Sequence, residues 1–320
     1  SVVQTPVTGS GLDQTYSGNL SASQVASVNF TVNAGQRVYL DVLDRTSFQP
    51  TVRLYGPGDV VVTSSVTQDG WLSLPFSGNY RLQLTSGASA TSYNLRLIDA
   101  GQLTPLTVGQ NFTITLDQAH ESLVWAIDAT VGDLRFFDLA PVTFFGHSFT
   151  LQRPNGTSVS LNAQFTSPVI TEITQTGRHH LVLKGVALST PVTGSAVMRD
   201  PALAITIPPD TTIIGTLSPG TAYQLYGVEL QAGDRLYVEP LTWTAPDVGF
   251  WRLFEPSGPA ISPPSPNKLS TLFAITATKT GKYTLLLTAS GSSPFDYSFR
   301  IKKLSVEEVT GFPYDHGFGD

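Results

Sequence analysis

The sequence predicts an all-β protein built from three tandem units. A strand phrase returns three times at nearly constant spacing. Alternating apolar and polar segments are common, whereas helical periodicity is hard to find. Turn clusters interrupt the alternation about every eight to twelve residues, the rhythm of a sandwich or barrel. The phrase reads Ala34-Gly35-Gln36-Arg37-Val38-Tyr39-Leu40, then Val131-Gly132-Asp133-Leu134-Arg135-Phe136-Phe137, then Ala232-Gly233-Asp234-Arg235-Leu236-Tyr237-Val238. Its glycines lie 97 and 101 residues apart.

Further landmarks keep the same order. An opening strand carries Gly18-Asn19-Leu20 and again Gly215-Thr216-Leu217. After the repeated phrase, a strand runs into a proline turn: Val52-Arg53-Leu54-Tyr55-Gly56-Pro57, Phe149-Thr150-Leu151-Gln152-Arg153-Pro154 and Trp251-Arg252-Leu253-Phe254-Glu255-Pro256. Proline and the glycines beside it are turn chemistry between antiparallel strands. A glycine-led strand follows: Gly78-Asn79-Tyr80, Gly177-Arg178-His179 and Gly281-Lys282-Tyr283. Closing strands are Tyr93-Asn94-Leu95-Arg96-Leu97 and Tyr297-Ser298-Phe299-Arg300-Ile301. The tyrosines at strand starts suit a buried ring with a wet hydroxyl. Boundaries fall near 99–107 and 200–211, giving units 1–103, 104–207 (divergent) and 208–304, then a tail, 305–320. That tail is rich in Gly and aromatic residues, which suits a linker or a strand that docks on a neighbouring molecule.

Composition narrows the function. Apolar residues make up 41% of the 320, so each unit can bury a core of its own. Charged residues are only 13%, against about a quarter in ordinary domains, and hydroxyl side chains fill the gap. The net charge of −6 includes no basic stripe, which excludes a nucleic-acid footprint. The absence of cysteine excludes disulfides and thiolate metal sites. No apolar run reaches the roughly 18 residues of a spanning helix. Starting at Ser1 in mid-phrase, the chain reads as a mature or excised piece of something longer.

Taken together, the landmarks resemble the bacterial pre-peptidase C-terminal domain. The likeness rests on the Gly-x-Leu openings, "GQRVYLDV", "RLYGPGD" and "SGNYRLQL…YNLRL" in the first unit, and on "AGDRLYVEP", "WRLFEPSG" and "TGKYTLLL…YSFRI" in the third. The middle unit lacks a clear opening and a closing tyrosine strand. The resemblance implies jelly-roll-like antiparallel β-sandwiches in secreted bacterial proteins, placed beside proteases or in tandem within large surface proteins. Some such domains bind calcium, collagen or polysaccharide. Three copies without a catalytic domain look like the tandem arrangement.

Catalytic motifs are not found: there is no Gly-x-Ser-x-Gly, His-Glu-x-x-His or P-loop pattern. The neighbours His179 and His180 point to opposite faces of a strand and cannot share a metal. Calcium is the cofactor considered, because acidic residues gather at strand ends: Asp41 and Asp44; Asp128, Asp133 and Asp138; Asp234 and Glu239. The competing reading is a solvated acidic turn. Trp71 and Trp243, at expected loop edges, are candidates for a saccharide platform. The expectation is a non-enzymatic stalk segment of an extracellular or cell-surface protein, self-assembling through its uncharged edges. Its partners would be neighbouring domains of a longer polypeptide or copies of itself. The alternative is an extracellular module that binds polysaccharide or a host protein.

Overall fold

The computed structural model describes residues 10–43, 50–63, 69–118, 120–138, 148–161, 169–185, 191–218, 223–244, 249–256, 267–268, 273–289 and 293–304. Alternation along each strand sorts its side chains between two sheets' inner and outer faces. In the first unit the strands are β1 (Gln14–Leu20), β2 (Val25–Val32), β3 (Val38–Val42), β4 (Thr51–Tyr55), β5 (Val61–Thr63), β6 (Gly70–Leu72), β7 (Gly78–Thr85) and β8 (Thr91–Asp99). They form two antiparallel sheets, ordered β1-β8-β3-β6 and β2-β7-β4-β5.

The second unit contains β9 (Asn111–Leu116), β10 (Leu123–Ala129), β11 (Leu134–Asp138), β12 (Ser148–Gln152), β13 (Ser158–Ser160), β14 (Val169–Glu172), β15 (Gly177–Lys184) and β16 (Val192–Arg199). A short strand, β17 (Ile205–Thr206), precedes the third set: β18 (Thr212–Leu217), β19 (Tyr223–Leu230), β20 (Arg235–Trp243), β21 (Gly249–Phe254), β22 (Asn267–Lys268), β23 (Phe273–Thr276), β24 (Gly281–Ala289) and β25 (Phe295–Leu304). Renumbered within its own unit, each set of eight has the same order, 1-8-3-6 over 2-7-4-5. This is the jelly-roll arrangement of a two-sheet sandwich. The protein is therefore three tandem jelly-roll-like sandwiches. The middle unit, the least regular in sequence, has the same topology as its neighbours. We call the 2-7-4-5 sheet the front and the 1-8-3-6 sheet the rear.

Each sandwich has its own core between front and rear. The first is packed by Val28, Phe30, Leu40, Leu54, Leu82 and Leu95, the second by Ile114, Ile127, Phe137, Leu151 and Leu181, and the third by Val228, Leu236, Trp251, Leu285 and Phe299. The glycine landmarks have a shared cause. Gly78, Gly177 and Gly281 all take φ between 131° and 140°, and each lies against the proline of its unit's turn, Pro57, Pro154 or Pro256. A side chain there would be strained and would press on the ring. The strand tyrosines differ from expectation. Tyr80 and Tyr283 are buried, and each hydroxyl bonds the backbone four residues back, at Phe76 and Lys279 (3.0 Å), instead of reaching water.

The lead-in to every sandwich is pinned in the same way. Gly11 N, Leu106 N and Ile207 N donate to Asn29 O, Ala126 O and Gly227 O at 3.1, 2.8 and 2.8 Å. The connecting segments thus run parallel to the edge of the front sheet. Ile207, the last residue assigned to the middle unit by sequence, is buried in the third core. No helix among the described residues is long and apolar enough to cross a membrane.

Candidate functional site

The strand β3 reads Val-Tyr-Leu-Asp-Val, a pattern that suggests one wet face, yet all five residues are buried. Val38, Leu40 and Val42 fill the first core. Tyr39 and Asp41 face the other way, and the second sandwich covers them. Tyr39, Ile98 and Ala100 form one apolar cluster with Val124 and Val182 of the second unit, with Trp71 and Leu103 packed against it. Trp71 meets the Tyr39 ring edge-on and the His180 ring at a tilt, both at 5.1 Å between centroids. The rear of the first sandwich is therefore glued to the front of the second.

Beside this cluster lies a buried ionic socket. Asp41 is 0% exposed. Its carboxylate accepts from Arg96 Nη2 (2.8 Å) across the rear sheet and from Ser122 N (3.0 Å) of the second unit. Arg96 also donates to Ser122 O (2.9 Å) and Glu121 Oε1 (3.2 Å). Asp69 accepts from Val42 N and from Ser122 Oγ, at 2.9 and 2.8 Å. Two carboxylates thus hold one guanidinium, and the third, Asp69, joins the network through Ser122. Burial, with Asp69 close by, outweighs the pull of Arg96 and raises the Asp41 pKa to about 7. His180 donates to or accepts from nothing charged here. Its Nε2 lies 3.1 Å from Ala100 O, and burial lowers its pKa to about 4.

The second junction repeats the plan. Leu134, Phe136 and Ile170 from the rear of the second sandwich pack with Tyr223, Leu225, Phe254 and Leu286 from the front of the third. Asp138 occupies the position of Asp41 but faces Val197 where Asp41 faces Arg96, and its partner is the Tyr223 hydroxyl. Arg199 Nε donates to that hydroxyl at 2.6 Å. Burial, then the Asp138 charge, pushes the Tyr223 phenol up. Strand registers make Tyr223 the counterpart of Ser122. Lys282 Nζ binds Ala202 O and Ala204 O of the connection, at 3.0 and 2.6 Å.

The remaining acidic candidates do not converge. Asp128 pairs with Arg178 (3.0 Å), Asp133 with Arg135 (2.6 Å), Asp234 with Lys303 (2.7 Å) and Glu239 with Arg300 (2.6 Å). Asp44 lies outside the described residues. Among those described, no three acidic or histidine side chains gather as a metal group. These are carboxylates with protein cations as partners, and Asp41 is far from a solvated turn. Trp71 is spent in the first junction, and Trp243, at the end of β20, packs against the third core. Trp71 lies within β6, and Trp243 is the last residue of its strand. His179 and His180 do point apart: the Nδ1 of His179 lies 3.0 Å from Gly177 O within the second unit.

Sequence reasoning missed Arg96, Asp69, Glu121 and Ser122. A pairwise signal existed, since Asp41 and Arg96 oppose each other on adjacent strands, but their burial needs the second sandwich. One glycine makes the junction stringent. A Cβ on Gly185 would sit 2.0 Å from the backbone oxygen of Glu121. Gly185→Ala is expected to displace the Glu121–Ser122 segment and destabilise the second sandwich by about 3 kcal/mol. A denaturant titration with an unchanged midpoint would show that the segment yields freely.

No protein-family model matches the chain, and no curated protein sequence does. Solved structures similar to parts of it include the pre-peptidase C-terminal domain of a collagenase from Bacillus anthracis, at 21% identity, covering 31% of this chain and 94% of that one (TM-score 0.25). PliG, a periplasmic inhibitor of g-type lysozyme from Salmonella Typhimurium, is 23% identical over 28% of this chain and 99% of its own (TM-score 0.21). A triple jelly-roll protein of an archaeal virus turret covers 90% of this chain and 84% of its own at 11% identity (TM-score 0.23). At these scores none bears on what the chain does.

Proposed function

We propose that this chain is a non-catalytic structural segment of an extracellular or cell-surface protein, in which three sandwiches hold other parts at a fixed separation. One observation supports this reading: both junctions are constructed like cores, with apolar clusters and buried hydrogen bonds, and both connections are pinned to a front sheet. Domains joined by a tether move independently unless the interface between them is large and apolar. A spacer needs the opposite behaviour, and the junctions supply it.

Small-angle scattering tests the idea. One arrangement of the three sandwiches should account for the curve of the unmodified protein. Trp71→Ala, which removes the indole between Tyr39 and His180, should cost about 2 kcal/mol and broaden the distance distribution. Scattering that demands freely reorienting sandwiches in the unmodified protein would rule the spacer out.

A further inference from the structure

The rear of the third sandwich carries the cross-strand ion pair at the centre of the first socket, and among the described residues nothing covers it. Glu239 stands where Asp41 and Asp138 stand, and Arg300 where Arg96 stands, by strand register. Arg300 Nε and Nη2 donate to Glu239 at 2.9 and 2.6 Å, and Lys302 Nζ lies 3.2 Å from the same carboxylate. In the first junction the second guanidinium nitrogen, Arg96 Nη1, takes Glu121 of the next sandwich. The equivalent nitrogen of Arg300 points to no protein partner among the described residues. The aromatic position recurs too: Tyr237 replaces Tyr39 and Phe136, with Arg235 over its ring at 5.6 Å.

We propose that this face is a docking surface for a further sandwich whose front sheet presents a carboxylate at the position of Glu121. Continuity with the two filled junctions argues for a sandwich as occupant. Charge argues for an acidic one: Arg235, Arg300 and Lys302 outnumber Glu239 and Asp296. Lys302 and Ala274 replace the bulky apolar residues Ile98 and Trp71 of the first rear face, so this junction is more ionic than the two within the chain. A second copy of this chain is a poor fit. The front of its first sandwich has Ser27 and Gln83 where the second has the apolar pair Val124 and Val182, and Gln24 where the second has Glu121. It also has Arg81, held by Asp59 at 2.6 Å, where the second front carries His180. The docking surface stands on these registers whether or not the chain serves as a spacer.

Rebuilding that first front face tests the proposal on the whole chain. The variant Gln24→Glu, Ser27→Val, Arg81→His, Gln83→Val copies the front of the second sandwich. It is expected to associate head to tail at least tenfold more strongly than the unmodified chain in sedimentation velocity, and adding Arg300→Glu should abolish the gain. Circular dichroism checks the fold, and the single variant Gln24→Glu, which supplies the carboxylate and leaves the half-buried Ser27 and Gln83 in place, repeats the test should the fourfold variant unfold. A folded variant that stays monomeric, or association that survives Arg300→Glu, overturns the assignment. Self-association of the unmodified chain that Arg300→Glu removes would make a second copy the occupant and overturn the choice of partner.

Discussion

Above about pH 8, where Asp41 is ionised, Arg96→Met is expected to destabilise the protein by about 3 kcal/mol or more, because it strands the Asp41 carboxylate in the first junction. Asp41 is fully buried, Asp69 and Glu121 lie within the same network, and Arg96 is the cation that binds Asp41 and Glu121. Removing one partner of a buried pair leaves an unpaired charge and costs about 3–5 kcal/mol, whereas removing both is far milder. The double variant Arg96→Met with Asp41→Leu should therefore recover part of the loss. Denaturant titration provides the comparison. A single-variant loss below about 1 kcal/mol would mean that water reaches the socket and that the pair behaves like a surface one.

Opposing pH dependences are expected from two residues of the same junction. The Asp41 pKa is raised to about 7, so the folded state holds a proton that the unfolded state has lost. Its contribution is full below about pH 4 and disappears as pH rises to about 7, a span of up to about 4 kcal/mol. His180 is depressed to about 4, so the unfolded state binds the proton first. Its contribution is full above about pH 6.5 and is lost as pH falls toward 4, a span of about 3 kcal/mol. His179, lowered mainly by burial, slopes the same way as His180. Arg96, Asp69 and the Ser122 amide face Asp41, while Arg37, Arg178 and the Ala100 carbonyl act on His180. Between pH 5 and 7 the two largest slopes oppose each other in the unmodified protein. Asp41→Asn should unmask stability that rises with pH, and His180→Gln should tilt the balance towards stability that falls. Parallel stability curves for all three proteins would show that neither group titrates in the junction. Paired carboxylates with lowered pKa, such as the exposed Asp128 and the half-buried Glu255, act only as pH falls below about 4 and do not disturb this window.

Much of the fold was legible along the chain. The repeated phrase marks the third strand of each sandwich (Ala-Gly-x-Arg in the first and third, Val-Gly-Asp-Leu in the second), and the spaced glycines mark the seventh, because a positive φ beside a proline admits little else. Less of the site could be read. Asp41 looked like a solvated strand end or a calcium ligand, and Trp71 like a loop-edge platform, because each sits in a local pattern that ordinarily faces water. The tyrosine hydroxyls differ in another way: Tyr80 bonds the backbone of the turn only four residues back, a local contact that the strand pattern does not display.

Strand period, turn position and the number of sandwiches are properties of short segments, and the sequence by itself determined them. Which side of a strand stays dry depends on what lands on it from about a hundred residues away. Tertiary structure alone decided that Tyr39 and Asp41 would meet Val124 and Ser122, since burial is a property of two surfaces and each sequence segment describes only one.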